Sequence, residues 1–236
     1  AEIGGSQCPV LAPGAEAAGI ERNFFSTFFL AVTRQLVGPS RFMPLYAIVN
    51  QGMRAWVTAC DNILDDEYKA VFQFGFPEDG PRMLSVLTLL LGDRVVTEYI
   101  NAYYPGEPNV LSAAGRISLL ALVPSALQEC GEEQRPVAVL PVDEILADIH
   151  GPKTGDLFAA PLALPLALES IDAGRAESGL QAVRSFGLAC QIVDDIKDMP
   201  DDVAAGRHNL LVSMVARREG GDLAWLEQLR GQAADW

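Results

Sequence analysis

Cysteine, histidine and basic residues are all scarce in this chain of 236 residues, and each scarcity removes a class of function. Cys8, Cys60, Cys130 and Cys190 stand far apart, and none forms a C-x-x-C pair, which argues against a zinc site. Cys60 and Cys190 lie within apolar runs and read as buried free thiols of a cytoplasmic protein. His150 and His208 are the two histidines, and each reads as a packing or surface residue. Lysine and arginine total 17 against 31 acidic residues, a formal net charge of −14. A surface of that sign excludes a nucleic-acid partner. No eighteen-residue apolar run exists: "ISLLALVPSAL" and "LFAAPLALPLAL" are short and carry proline, so no membrane span is expected. The stretch up to about residue 20 lacks the basic-then-apolar layout of a signal peptide and reads as a mobile leader. No P-loop, dinucleotide fingerprint, Ser-His-Asp arrangement or EF-hand loop is present.

What remains is apolar and helical. Half of the residues are hydrophobic, enough for one large domain with a sizeable core. In "RNFFSTFFLAVTRQL" Phe24, Phe25, Phe28, Phe29 and Val32 share one stripe of a helix. "PLYAIVNQGMRAWVTACDNILDDEY" holds no proline beyond its first residue and spans about seven turns. "SVLTLLLGDRVVTEYINAYY", "AAGRISLLALVPSALQEC", "PVDEILADIHGPKTGDLFAAPLALPLAL" and "SGLQAVRSFGLACQIVDDIKDMPDDV" read as further helices, and "VSMVARREGGDLAWLEQLRGQ" as one or two short ones. Pro152, Pro161 and Pro165 imply kinks or breaks. Period-two alternation is nearly absent. The expectation is a single all-α domain over residues 1–236.

Two acidic clusters break the apolar pattern. On a straight helix Asp194, Asp198 and Asp202 fall on one face, with Asp195 and Asp201 off that line. Like charges at this spacing repel, and the cost grows beside a core-like run because carboxylates in low dielectric resist ionising. A divalent cation relieves both effects. Mg²⁺ takes oxygen ligands, commonly one or two carboxylates with water and substrate phosphates. "CDNILDDEYK" repeats the theme, with Asp61 and Asp65 four residues apart and Asp66 and Glu67 beside them. Two apolar helices that each end in carboxylates point to a cavity with metal at one mouth.

These residues resemble the class I isoprenoid synthases, specifically the trans-polyprenyl diphosphate synthases. "GLACQIVDDIKD" is similar to their second aspartate-rich motif, Q-x-x-D-D-x-x-D, and "HGPKTGDLF" to their K-T-x-x-L-F segment. "DNILDDE" resembles the first D-D-x-x-D motif with Asn62 in the second place, and "GPSRFMP" the early G-x-R-x-x-P element. Two departures stand out. The arginine pair usual after the first motif is replaced by "YKAVFQFGFPEDGPRM". "DMPDDVAAGRHNLL" is similar in spacing to a segment of squalene and phytoene synthases.

The resemblance implies a bundle of long apolar helices around a central cavity, acting as a homodimer on prenyl diphosphates. It implies metal ligation by Asp61, Asp65, Asp194, Asp198 and Asp202, with a cluster of Mg²⁺ ions (three with bound diphosphate) as Lewis acids. The acidic surface then attracts metal, and metal attracts the polyanion. Lys153, Thr154 and Gln191 are implied as catalytic residues. Arg41, Arg207 and Lys197 are implied as diphosphate-binding cations, and Trp56 as part of the cavity wall. The expected reaction ionises an allylic diphosphate and condenses it with isopentenyl diphosphate. The alternatives are a terpene cyclase or a head-to-head squalene/phytoene-like synthase, and then a non-catalytic partner subunit of a prenyl synthase.

Overall fold

The computed structural model describes residues 2–3, 6–7, 19–64, 68–72, 74, 80–133 and 139–217. Helix dominates, in agreement with the expected all-α class. The exception among the described elements is a two-residue antiparallel pairing of β1 (Glu2–Ile3) with β2 (Ser6–Gln7), inside the stretch expected to be a leader. The remainder of that stretch up to residue 18 lies outside the described residues.

The fold separates into two compact units, residues 1–116 with 161–172, and residues 117–160 with 173–236. In the first, α1 (Ile20–Val37) packs on α2 (Met43–Leu64), and α2 packs on α3 (Pro81–Tyr103). The α2–α3 contact is close because two glycines leave room for it. A Cβ on Gly52 would stand 2.7 Å from Val96 Cγ2, and one on Gly92 would stand 3.0 Å from Trp56 Nε1. Leu84, Thr88, Gly92, Val96 and Ile100 recur every fourth residue of α3 and are all buried, the ridge that an α-helix presents to a neighbour. On α1 the structure departs from the expected phenylalanine stripe. Its buried positions are Ser26 and Thr33, while Phe24 and Phe25 are about half exposed. Phe24 and Phe28 stack on each other, as do Phe25 and Phe29. The helical period places Ser26 and Thr33 at the edge of the stripe beside Phe29, so the inward face is turned toward that edge, with Phe28, Phe29 and Val32 half-buried.

The helix α4 (Pro108–Glu133) contains Pro124 and crosses from the first unit to the second. In the second unit, α5 (Val142–Glu144) runs into Ile145–Gly155, a segment wound more widely than an α-helix. Its carbonyls accept from five residues onward, as in Asp156 N–H to Gly151 C=O. Pro152 lies inside it; proline has no N–H to donate, and the wide turn accommodates its ring. Then come α6 (Asp156–Ala159) and a tighter turn at Ala160–Leu162, after which α7 (Ala163–Leu168) belongs to the first unit. Pro152 lies inside the wide segment, Pro161 in the tighter turn and Pro165 within α7, so the expected breaks are replaced by changes of helical type and the chain stays helical through all three. The long α8 (Ala173–Lys197) packs on the wide segment and on α6. After it come α9 (Met199–Ala205) and α10 (Leu210–Ala216). Ile145, Ile149 and Leu210 form one small core with Leu146 and Ile192 around it. Each such side chain contributes about 1.5–3 kcal/mol by leaving water. A second core joins Val203 and Val212. Among the described residues no helix is long and apolar enough to cross a membrane. The last expected helical stretch lies, from residue 218 onward, outside the described residues.

Candidate functional site

Four side chains of the second unit form a hydrogen-bonded chain between the wide segment and α8. His150 is 1% exposed, and its Nε2 lies 2.8 Å from Asp195 Oδ2. Gln191 Nε2 donates to Asp195 Oδ1 at 3.1 Å, and Thr154 Oγ1 donates to Gln191 Oε1 at 2.5 Å. The chain thus leaves the wide segment at His150 and returns to it at Thr154. Gly187 makes this possible: a Cβ there would lie 2.8 Å from Phe158 Cγ and 3.0 Å from the Thr154 carbonyl oxygen. The backbones approach closely at that point, one turn before Gln191.

Behind this chain lies a second layer. Leu210 N–H donates to Asp195 Oδ2 at 2.7 Å. Asn209 Nδ2 donates to the Asp195 carbonyl and to Asp202 Oδ2, both at 2.8 Å. The same residue's Oδ1 caps α10 by accepting from Leu211 and Val212 N–H, the usual way a helix start is satisfied. Burial pushes the Asp195 carboxyl up, but hydrogen bonds from His150, Leu210 and Gln191 outweigh it and hold the group below the ordinary carboxylate range. Asp202 moves the other way. Burial raises it, the bond from Asn209 opposes this in part, and the charge of Asp195 adds to the rise.

The acidic row is therefore not a uniform face. Asp194 is exposed, Asp198 is half-buried and Asp202 is buried. Residue 198 stands between α8 and α9, because Pro200 at the start of α9 has no N–H for the ladder. Asp195, expected to lie off the line, is the carboxylate turned inward. Lys197 is mostly exposed, with Nζ 3.6 Å from Asp198 Oδ1. Arg207 is exposed, and its backbone N–H closes the end of α9 on the Asp202 carbonyl. Its guanidinium acts on Asp202 as a favourable charge. Lys153 is half-buried, one residue before Thr154.

The first acidic motif belongs to the first unit. Asp61 is exposed near the end of α2. Asp65 lies outside the described residues. Asn62 is 3% exposed and engages one backbone position twice. Lys69 N–H donates to its Oδ1 at 2.9 Å, and its Nδ2 donates to the Lys69 carbonyl at 3.1 Å. The amide needs both an acceptor and a donor there, which a carboxylate does not offer. Arg41 is exposed and bound through two nitrogens to Glu107, at 2.8 and 3.2 Å. It also lies over the Phe42 ring. Trp56 is 5% exposed and packs against Gly52 and Gly92 in the α2–α3 contact, the position of a core residue.

The donor set fits Mg²⁺ only in part. Among the described residues no three His, Cys, Asp or Glu side chains are grouped to hold a metal by themselves. In the second unit Asp194 and Asp198 have carboxylates that reach the surface, while Asp202 is committed to Asn209. A Mg²⁺ bound by one or two carboxylates and completed by water and phosphate oxygens matches such a set.

Sequence reasoning overlooked His150, Asp195 and Asn209. The inward stripe of α8 carried a signal for Asp195: Val183, Gly187, Gln191 and Asp195 recur every fourth residue and lead from the core into the polar chain. In comparisons with known proteins, no protein-family model matches this chain and no curated protein matches it.

Proposed function

We propose that the chain is a Mg²⁺-dependent prenyl diphosphate synthase that ionises an allylic diphosphate and condenses it with isopentenyl diphosphate. One observation carries the reading. The two segments that resemble the synthases most closely, Lys153–Thr154 and Gln191–Asp198, are 37 residues apart between Thr154 and Gln191, yet these two side chains are hydrogen-bonded. The wide segment that bears Lys153 and Thr154 supports it further, since expanded helical turns occur often at functional sites.

In this reading Lys153 donates to the diphosphate from the wide segment, and Lys197 at the end of α8 and Arg207 just after α9 add positive charge. Asp194 and Asp198 hold the metal, and Asp61, in the first unit, stays a candidate ligand on the strength of its motif alone. Asp202 leaves the ligand set and serves as the anchor of Asn209. Bound Mg²⁺ supplies Lewis-acid stabilisation of the charge on the departing diphosphate. Thr154 and Gln191, fixed to each other, hold a rigid polar edge beside Lys153.

A second reading is favoured by Arg41. A chain-elongating enzyme needs cationic donors for a second diphosphate, and Arg41 is held by Glu107. This suits a cyclase or a head-to-head synthase. The exposed pair contributes only about 0.2–1 kcal/mol, however, so an incoming diphosphate displaces Glu107 readily. Incubation with Mg²⁺ and geranyl, farnesyl or geranylgeranyl diphosphate, with and without isopentenyl diphosphate, separates the readings. Longer prenyl diphosphates support elongation; hydrocarbon or alcohol products that ignore isopentenyl diphosphate support the second reading.

A further inference from the structure

We infer that His150 is a positioning residue of the proposed diphosphate site: through Asp195 it fixes the Gln191 amide, and through that amide the Thr154 hydroxyl. The inference rests on the reading that Lys153, Thr154 and Gln191 face the substrate.

Asp195 Oδ2 receives two donors, His150 Nε2 at 2.8 Å and Leu210 N–H at 2.7 Å, so the carboxylate cannot rotate without losing both. Oδ1 is thereby presented to Gln191. An amide beside a carboxylate oxygen must turn its NH₂ toward it, because the carbonyl end would be repelled. Gln191 Oε1 then faces away and takes the Thr154 proton. Each orientation follows from the one before, and the sequence starts at His150. Thr154 is four residues further along the same segment, so His150 also ties both ends of that turn to α8.

His150 itself is not fully satisfied. Its Nδ1 is buried and has no hydrogen-bond partner among the described residues. A proton on that nitrogen would be an unpaired buried donor, which is costly. The nitrogen that donates to Asp195 is therefore Nε2, the one that has a partner. A side chain retained only to fill this space would be apolar and would leave no orphan nitrogen. What the imidazole adds is one donor, aimed at the carboxylate that sets the Gln191 amide.

The test uses the full chain with Mg²⁺, isopentenyl diphosphate and farnesyl diphosphate as the probes, reading diphosphate release. His150→Ala should lower kcat about tenfold or more, with KM changed by less than about threefold, as expected when orientation rather than binding is lost. His150→Gln keeps a donor near the place of Nε2 and should restore kcat to within about threefold of the parent. A second readout needs no turnover. Long-range ¹H–¹⁵N spectra should show the Nε2–H tautomer for His150, and His150→Ala should shift the Gln191 side-chain NH₂ signals. If the parent releases no diphosphate, the proposed function has failed and the spectra alone decide the positioning role. An Nδ1–H tautomer, unmoved Gln191 signals, or a folded His150→Ala with unchanged kcat overturns the inference. If His150→Ala does not fold, His150→Gln and the tautomer carry the decision: a folded His150→Gln that has lost kcat overturns it.

Discussion

Replacing Gly187 with alanine isolates the close approach that brings the wide segment to α8. A Cβ at this position meets Phe158 Cβ at 2.9 Å, Phe158 Cγ at 2.8 Å and the Thr154 carbonyl oxygen at 3.0 Å. None of these is the free end of a flexible side chain, so α8 must move off by several tenths of an ångström. Overpacking of this kind costs about 1–3 kcal/mol. Alanine is also the better helix former, which returns about 0.8–1 kcal/mol. Gly115 supplies the control: it lies in α4 with open space at its Cβ position, so Gly115→Ala collects the gain without the clash. The two variants should therefore differ by about 1–3 kcal/mol in urea unfolding followed by circular dichroism, or about 2–12 °C in Tm for a chain of this size. Gly187→Ala should also separate Gln191 from Thr154, and diphosphate release should fall about tenfold or more through misorientation. A Gly187→Ala protein as stable as Gly115→Ala, with unchanged turnover, would refute the reasoning.

Asn62→Asp restores the residue usual in the first motif but removes the donor to the Lys69 carbonyl and places a charge at a buried position. It should destabilise by about 1–3 kcal/mol and leave Mg²⁺-dependent turnover no higher, and a gain in turnover without loss of Tm would contradict the structural role of Asn62. Glu107→Gln releases Arg41 from its bidentate partner. It should lower KM for isopentenyl diphosphate by about 1.5- to 5-fold, while Arg41→Ala raises it; insensitivity of KM to both changes removes Arg41 as a donor. Lys153→Ala should weaken binding of inorganic diphosphate with Mg²⁺ by about tenfold or more in calorimetry, in line with one lost charged hydrogen bond. The Tyr46 hydroxyl is pushed well above the ordinary tyrosine range, first by burial and then by its hydrogen bond to Glu169 and the Glu169 charge. A raised value stabilises the fold fully below about pH 10, the unfolded value, and the contribution is lost as pH rises further. The stability difference between the parent and Tyr46→Phe should thus stay constant up to about pH 10 and shrink above it, and a constant difference throughout would exclude the effect.

The helical class was readable because apolar residues recur with helical spacing in nearly every segment, and this period survives whatever the tertiary packing does. The pairing of Lys153–Thr154 with Gln191–Asp198 was readable only through a resemblance, since 37 residues separate Thr154 from Gln191. Periodicity went wrong in informative places. On α1 it put Phe24, Phe25, Phe28, Phe29 and Val32 on one stripe, yet Phe24 and Phe25 are half exposed and the fully buried residues are small Ser26 and Thr33 at the edge of that stripe. On α8 it joined Asp194, Asp198 and Asp202 as one face and set Asp195 aside. The inward direction is decided by His150 and Leu210 N–H, partners that lie 45 and 15 residues away from Asp195. Pro152 announced a disturbance, but nothing local specifies that the chain widens rather than breaks. Asn62 stands in the second place of the first motif, where the resemblance has aspartate. Its partner Lys69 follows within seven residues, and only the folded turn reveals that an amide is required there.

The central claim is that Asp194 and Asp198 work with Lys153 on a metal-bound diphosphate. Its most direct measurement is diphosphate release from farnesyl diphosphate in the presence of isopentenyl diphosphate by the parent and by Asp198→Ala, each with Mg²⁺ and with chelator. The parent should release diphosphate only when Mg²⁺ is present, and Asp198→Ala should retain its helical circular dichroism while losing most of the release. Release that persists in chelator, or an Asp198→Ala protein as active as the parent, would contradict the claim.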